Sequence, residues 1–160
     1  MFSPSWLRLR NAEQEYFSAL YEFTHRNAAA DSDLKQALAK AGDMVTALRL
    51  LLEIELATSL VALLLPELMD IALDSGSLTA IPLARDVLYR VRKEPEIRSA
   101  IPLVAATYLN VPDEWPYRRL AELYQQLNYR AELATLLARC RASDEAEIRE
   151  LAADFEGEQE

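Results

Sequence analysis

Apolar side chains return along this chain at intervals of three and four residues. Ala84, Val87, Leu88 and Val91 show the spacing i, i+3, i+4, i+7; so do Ile101, Val104, Ala105 and Tyr108, and Leu120, Leu123, Tyr124 and Leu127. Leu133, Leu136, Leu137 and Cys140 repeat it, as do Ile148, Leu151, Ala152 and Phe155. On a 3.6-residue turn the four positions share one side, so each set predicts an amphipathic α-helix with a stripe to bury. No stretch alternates with a period of two, and no strand is expected.

The punctuation agrees with this. Gly42, Gly76 and Gly157 fall between stripes, where glycine costs least. Ser3 before Pro4, Ser32, Asp43, Ser77, Asp113 and Ser143 stand where a first helical turn needs an acceptor for its free amides. The predicted helices cover 4–26, 33–41, 43–65 with a continuation from Pro66 to 75, 78–92, 95–109, 114–127, 129–140 and 144–155. Connections of two to four residues fold neighbours antiparallel. The expected fold class is therefore all-α, with about eight helices in stacked antiparallel hairpins. One domain over 1–155 and an acidic, frayed tail at 156–160 are expected.

Composition refines the picture. With 160 residues, 51% of them hydrophobic, one core of ordinary size can be built. Residues 142–160 hold eight acidic side chains and one basic, so −7 of the formal −9 lies there and the body is close to neutral. The longest apolar run, Leu56 to Leu65, spans ten residues, half of the roughly 20 needed to cross a bilayer, so no membrane contact is expected. The start Met1-Phe2-Ser3-Pro4-Ser5-Trp6 lacks the apolar centre of a secretory signal, and a cytoplasmic location is expected. The one cysteine, Cys140, excludes an intramolecular disulfide and sits at a core position.

The helices also repeat on a longer period. Pro66 to Pro102 is thirty-six residues and Asp74 to Asp113 is thirty-nine, the length of a two-helix unit. Pro66 precedes Asp74 by eight, and Asp113 precedes Arg119 by six. In these features the chain, over about 58–127, resembles HEAT repeats, in which the first helix carries a proline, the turn an aspartate and the second helix an arginine. The resemblance implies a right-handed α-solenoid with a habit of binding other macromolecules, and it implies no chemistry. Residues 129–155 would close the stack as a third hairpin. The aromatic-rich helix 4–26, with Trp6, Leu9, Tyr16, Leu20 and Phe23 along one side, would cover the other end. Whether its aromatic residues are covered from within or by a second copy is left open, as is a homo-oligomer.

Candidate chemistry is sparse. Glu22 and His25 form a Glu-x-x-His pair, but a di-iron site needs two such pairs and the chain has one histidine, which also removes Cys/His zinc ligation. Asp70 with Asp74, and Glu67 with Asp70, place carboxylates on one helical side with no nucleophile or phosphate loop nearby. No catalytic, cofactor or metal residue is assigned, and no enzymatic activity is expected.

Arg85, Arg90, Arg92, Lys93 and Arg98 form the densest basic cluster; Arg85 and Arg92 share a side, and in a stack Arg118 and Arg119 extend the row. Trp115 at a helix start could anchor a partner. The expected partner-binding residues are thus Arg85, Arg92, Trp115, Arg118 and Arg119, with ion pairs inside the chain as the competing reading. Asp86, Glu94 and Glu96 leave 85–98 at a net +2, which disfavours nucleic acid and favours another protein as partner. The expected function is a non-catalytic scaffold or adaptor. The alternatives are an acidic immunity or inhibitor protein for a basic bacterial toxin enzyme, and a HEAT-type nucleic-acid-binding module.

Overall fold

Every element that the periodicity marks is helical. A computed structural model describes residues 2–111 and 113–157. Among them the order is α1 (Pro4–Arg26), α2 (Ala30–Leu38), α3 (Met44–Glu53), α4 (Thr58–Asp74), α5 (Ala80–Val91), α6 (Pro95–Ala105), a 3-10 helix (Ala106–Asn110), α7 (Glu114–Leu127), α8 (Arg130–Arg141) and α9 (Ala146–Gly157). The all-α expectation holds, with no strand among the described residues. Of the expected acidic tail, Glu156 and Gly157 continue α9, and the rest lies outside the described residues.

The apolar stripes meet in two registers. Some helices pack on the next in sequence: α2 on α3, α4 on α5, α7 on α8, α8 on α9. Others pack two places along: α2 on α4 and α4 on α6, α3 on α5, α5 on α7 and α7 on α9. The helix α4 is central, touching α2, α5, α6 and α7. Its buried residues include Leu64, Leu68 and Met69, which no solvent reaches. Buried side chains from Leu34 to Phe155 form one contiguous cluster. Each leucine in it contributes about 1.5–3 kcal/mol relative to leaving it exposed.

Several boundaries differ from the expectation, each for a physical reason. The predicted 43–65 helix with its continuation is two helices, broken at Ile54–Ala57, and Pro66 lies inside α4 on its exposed side. No glycine or proline marks that break; Arg90, far along the chain, holds the carbonyls there, as shown below. The helix α2 begins at Ala30 because Asn27 Oδ1 accepts from the Ala29 amide at 2.9 Å and Asn27 Nδ2 donates to Asp33 at 2.8 Å. Ser32 therefore lies within the helix. Of the other predicted acceptors, Ser3, Ser77, Asp113 and Ser143 take amides of Trp6, Ala80, Trp115 and Glu145 at 3.0–3.2 Å, while the Asp43 side chain, at the start of α3, takes none. The turn between α7 and α8 is made by Asn128 in the left-handed region, φ 60°, a conformation asparagine tolerates better than other side chains with a Cβ.

The first helix departs most. All 23 residues of α1 remain at least partly accessible; only near its end do Leu20, Phe23 and Thr24 become half-buried, with the Tyr16 hydroxyl donating to Glu53 on α3. The expected cover is thus a correction, because Trp6 and Leu9 overhang the body. Length is the reason. At about 1.5 Å per residue α1 reaches roughly 35 Å, against about 15 Å for α2 or α3, so its first half has nothing to lie on.

Leu88→Ala, at a position no solvent reaches, should cost about 2–5 kcal/mol in urea denaturation, while Leu103→Ala, at a side chain 74% exposed, should stay within about 0.5 kcal/mol.

Candidate functional site

The structure engages most of the predicted arginine row in contacts within the chain, none of these side chains being fully buried. An α-helix leaves its last four carbonyls without amide partners. In α3 and α4 no basic residue stands in the last turn to meet them. Arginines from later helices do so. Arg90 on α5 donates to Leu51, Leu52 and Ile54 carbonyls at 2.9, 2.8 and 3.1 Å, closing the end of α3. Arg119 on α7 donates to Leu73 and Ser75 at 3.1 and 2.9 Å, closing the end of α4. Arg85 on α5 reaches the Ala72 and Arg119 carbonyls at 3.4 and 3.3 Å and pairs with Glu122 at 2.9 Å. The row is therefore not gathered into a free surface.

The same device recurs with tyrosine. Tyr129 donates to the Arg92 carbonyl at the end of α5 at 2.8 Å, and Tyr117 to Leu109 at 3.2 Å, where Arg139 also donates at 2.7 Å. Burial raises the Tyr129 phenol, against the opposing charge of its neighbour Arg98, and takes the nearby Tyr124 phenol to about 12.

The other predicted residues are distributed differently. Arg92 lies 3.6 Å over the Tyr89 ring and donates to its own helix at the Tyr89 carbonyl. Arg118 takes Glu114 at 2.7 Å and Asp154 at 3.0 Å, tying α7 to α9. Trp115 alone of the five stays open, 63% exposed, with Arg119 5.8 Å from its ring. Gln126 on α7 donates to Asp86 on α5 at 3.1 Å, a further polar tie between these helices.

No protein-family model matches the chain, and no curated protein or solved structure matches it.

The remaining candidates are absorbed locally. His25 stacks on Tyr21 at 4.4 Å and meets Thr24 at 2.7 Å, and among the described residues no group of three or more His, Cys, Asp or Glu is placed to hold a metal. Glu67 pairs with Lys35 at 3.5 Å. Asp70 accepts from the Tyr108 hydroxyl at 3.3 Å, and burial, then the Asp70 charge, pushes that phenol strongly up. The Cys140 thiol is buried and raised by that burial, far from the reactive thiolate range.

The longest run of exposed large apolar side chains lies on α1 and just before it: Phe2, Trp6, Leu7, Leu9, Tyr16, Phe17 and Tyr21 are between 37% and 67% exposed. Two clefts flank the half of α1 that rests on the body. One, about 510 Å³, lies against Leu34, Ile54 and Leu60 and takes in Phe17 and Tyr21; the other, about 430 Å³, runs along Thr46 and Leu50 beside Tyr16. Trp6, Leu9 and Tyr16 belong to a stripe legible in the sequence, whereas Phe2, Phe17 and Tyr21 fall outside it. The signal was present in the disparity between a 4–26 helix and the short helices after it.

Arg119→Met should lower stability by about 2–3 kcal/mol in urea denaturation, because two carbonyls at the end of α4 lose a charged donor. Arg119→Lys should recover only part of this, since one ammonium cannot reproduce the guanidinium fork.

Proposed function

We propose that this chain is a non-catalytic, HEAT-like helical-repeat scaffold that acts by binding another protein, and that α1 is the element that binds. The observation that carries this is a 23-residue helix with a run of exposed aromatic side chains and no buried residue. An exposed helix of that length with aromatic side chains near both ends is a frequent mark of a protein contact surface. Among the described residues no helix is long and apolar enough to cross a membrane.

The packing supports the repeat reading. The contacts between helices two places apart make one layer of α2, α4 and α6 and another of α3, α5, α7 and α9, the arrangement expected when helical pairs stack in a line. The polar ridge of α5, α7 and α9 does not favour partner binding through Arg85, Arg118 and Arg119, because these arginines are engaged. The nucleic-acid alternative is weakened by the same fact, since Arg85 and Arg119 are committed to carbonyls and carboxylates rather than to phosphate.

The test is photo-cross-linking in cells. A benzophenone amino acid in place of Phe17 should give discrete protein adducts, and the same group in place of Arg8, half a turn round the helix, should not. Adducts to lipid alone, equal labelling from both positions, or none would contradict the reading.

A further inference from the structure

The outward side of α1 has an internal symmetry. Trp6, Arg10, Glu13, Phe17 and Tyr21 follow one another at steps of four, three, four and four, so they lie along one side of the helix, and Phe2, in the extended segment before it, holds its ring 6.1 Å from that of Trp6. That side stands about a quarter turn from the one that Tyr16 and Phe23 press on the body, by helical geometry. Set a second α1 antiparallel to it, about a two-fold axis between Asn11 and Ala12. Every residue of the set then meets another of the same set: Phe2 meets Tyr21, Trp6 meets Phe17, and Arg10 meets Glu13. Aromatics face aromatics, and the one charged pair faces its opposite, twice.

From this register and from the area available, we infer that the partner of α1 is a second copy of this chain, paired with it antiparallel through this face. The inference rests on the protein-binding reading above and names the partner. Among the described residues, Arg10 and Glu13 make no ion pair of their own, although they stand one turn apart, so both are free to pair across the axis. The four aromatics are about half exposed or more, at 67%, 48%, 56% and 52% in chain order. At about 150–250 Å² each they offer on the order of 450 Å² per copy, hence ~900 Å² for the pair. The stems of Arg10 and Glu13 and the rim of the 510 Å³ cleft beside Phe17 and Tyr21 carry the total past the roughly 1,000 Å² a specific interface needs. That cleft lies where the partner's Trp6 and Phe2 would arrive.

Isologous pairing also explains why the charges are arranged as they are. In a parallel pair Arg10 would face Arg10 and Glu13 would face Glu13, which is repulsive. Only the antiparallel register satisfies both.

The experiment is sedimentation velocity on the full chain at about 100 µM. The unaltered protein should run as a dimer. Arg10→Glu alone and Glu13→Arg alone should each run as a monomer with unchanged helical circular dichroism, because each puts two like-charged pairs across the axis. Mixed in equal amounts, these two variants should form a one-to-one heterodimer, since each then presents what the other lacks. A monomeric unaltered protein overturns the proposal, and so do single variants that stay dimeric or a mixture that stays monomeric. Failure here leaves the protein-binding reading standing if position 17 still cross-links to a different protein; loss of both shows that the reading itself has failed.

Discussion

The structure depends on how the ends of short helices are finished. A helix of ten residues has four unpartnered carbonyls at its end, close to half its length, and burial makes each of them expensive. Here α3 and α4 have no glycine cap and no basic last turn, and the missing donors come from helices packed against them: Arg90 for α3, Arg85 and Arg119 for α4. Tyr129 and Tyr117 do the same for α5 and the 3-10 helix. The contacts of Arg90, Arg119 and Tyr129 span 36–46 residues in sequence, about one two-helix unit in the case of Arg90 and Tyr129. The donors are charged or buried hydroxyl groups, so their bonds are stronger than the average neutral pair. The result is that an element cannot complete itself until a later one has docked.

The same constraint accounts for what is left over. A polar ridge whose arginines close helix ends and pair with Glu122 and Asp154 has little charge to offer a partner. The first helix receives one polar tie from the body, from Tyr16 to Glu53, and rests only its final turns on α2 and α3. Its aromatic side is therefore the surface on which binding is proposed.

Much of this was legible in the residues. The stripes through Leu88, Leu123 and Leu137 marked real helices, because burial of a stripe is a local demand written at a local spacing. The acceptors Ser3, Ser77, Asp113 and Ser143 were legible for the same reason. The break after Glu53 was not, because the group that stabilises it, Arg90, lies more than thirty residues away and looks in sequence like a surface cation. The roles of Arg85 and Arg119 were hidden likewise: an arginine row reads the same whether it faces a partner or a carbonyl. The overhang of α1 depended on comparing the lengths of separate helices, which no periodicity within one helix expresses.

The central claim is that arginines from later helices hold the ends of earlier ones, so that neighbouring elements open together. Native-state hydrogen exchange on the intact chain and on Arg90→Met tests it most directly. The account predicts that the amides of α3 and α5 lose protection by a similar factor, as one unit. Loss confined to the residues flanking position 90, with α3 as protected as before, would contradict it.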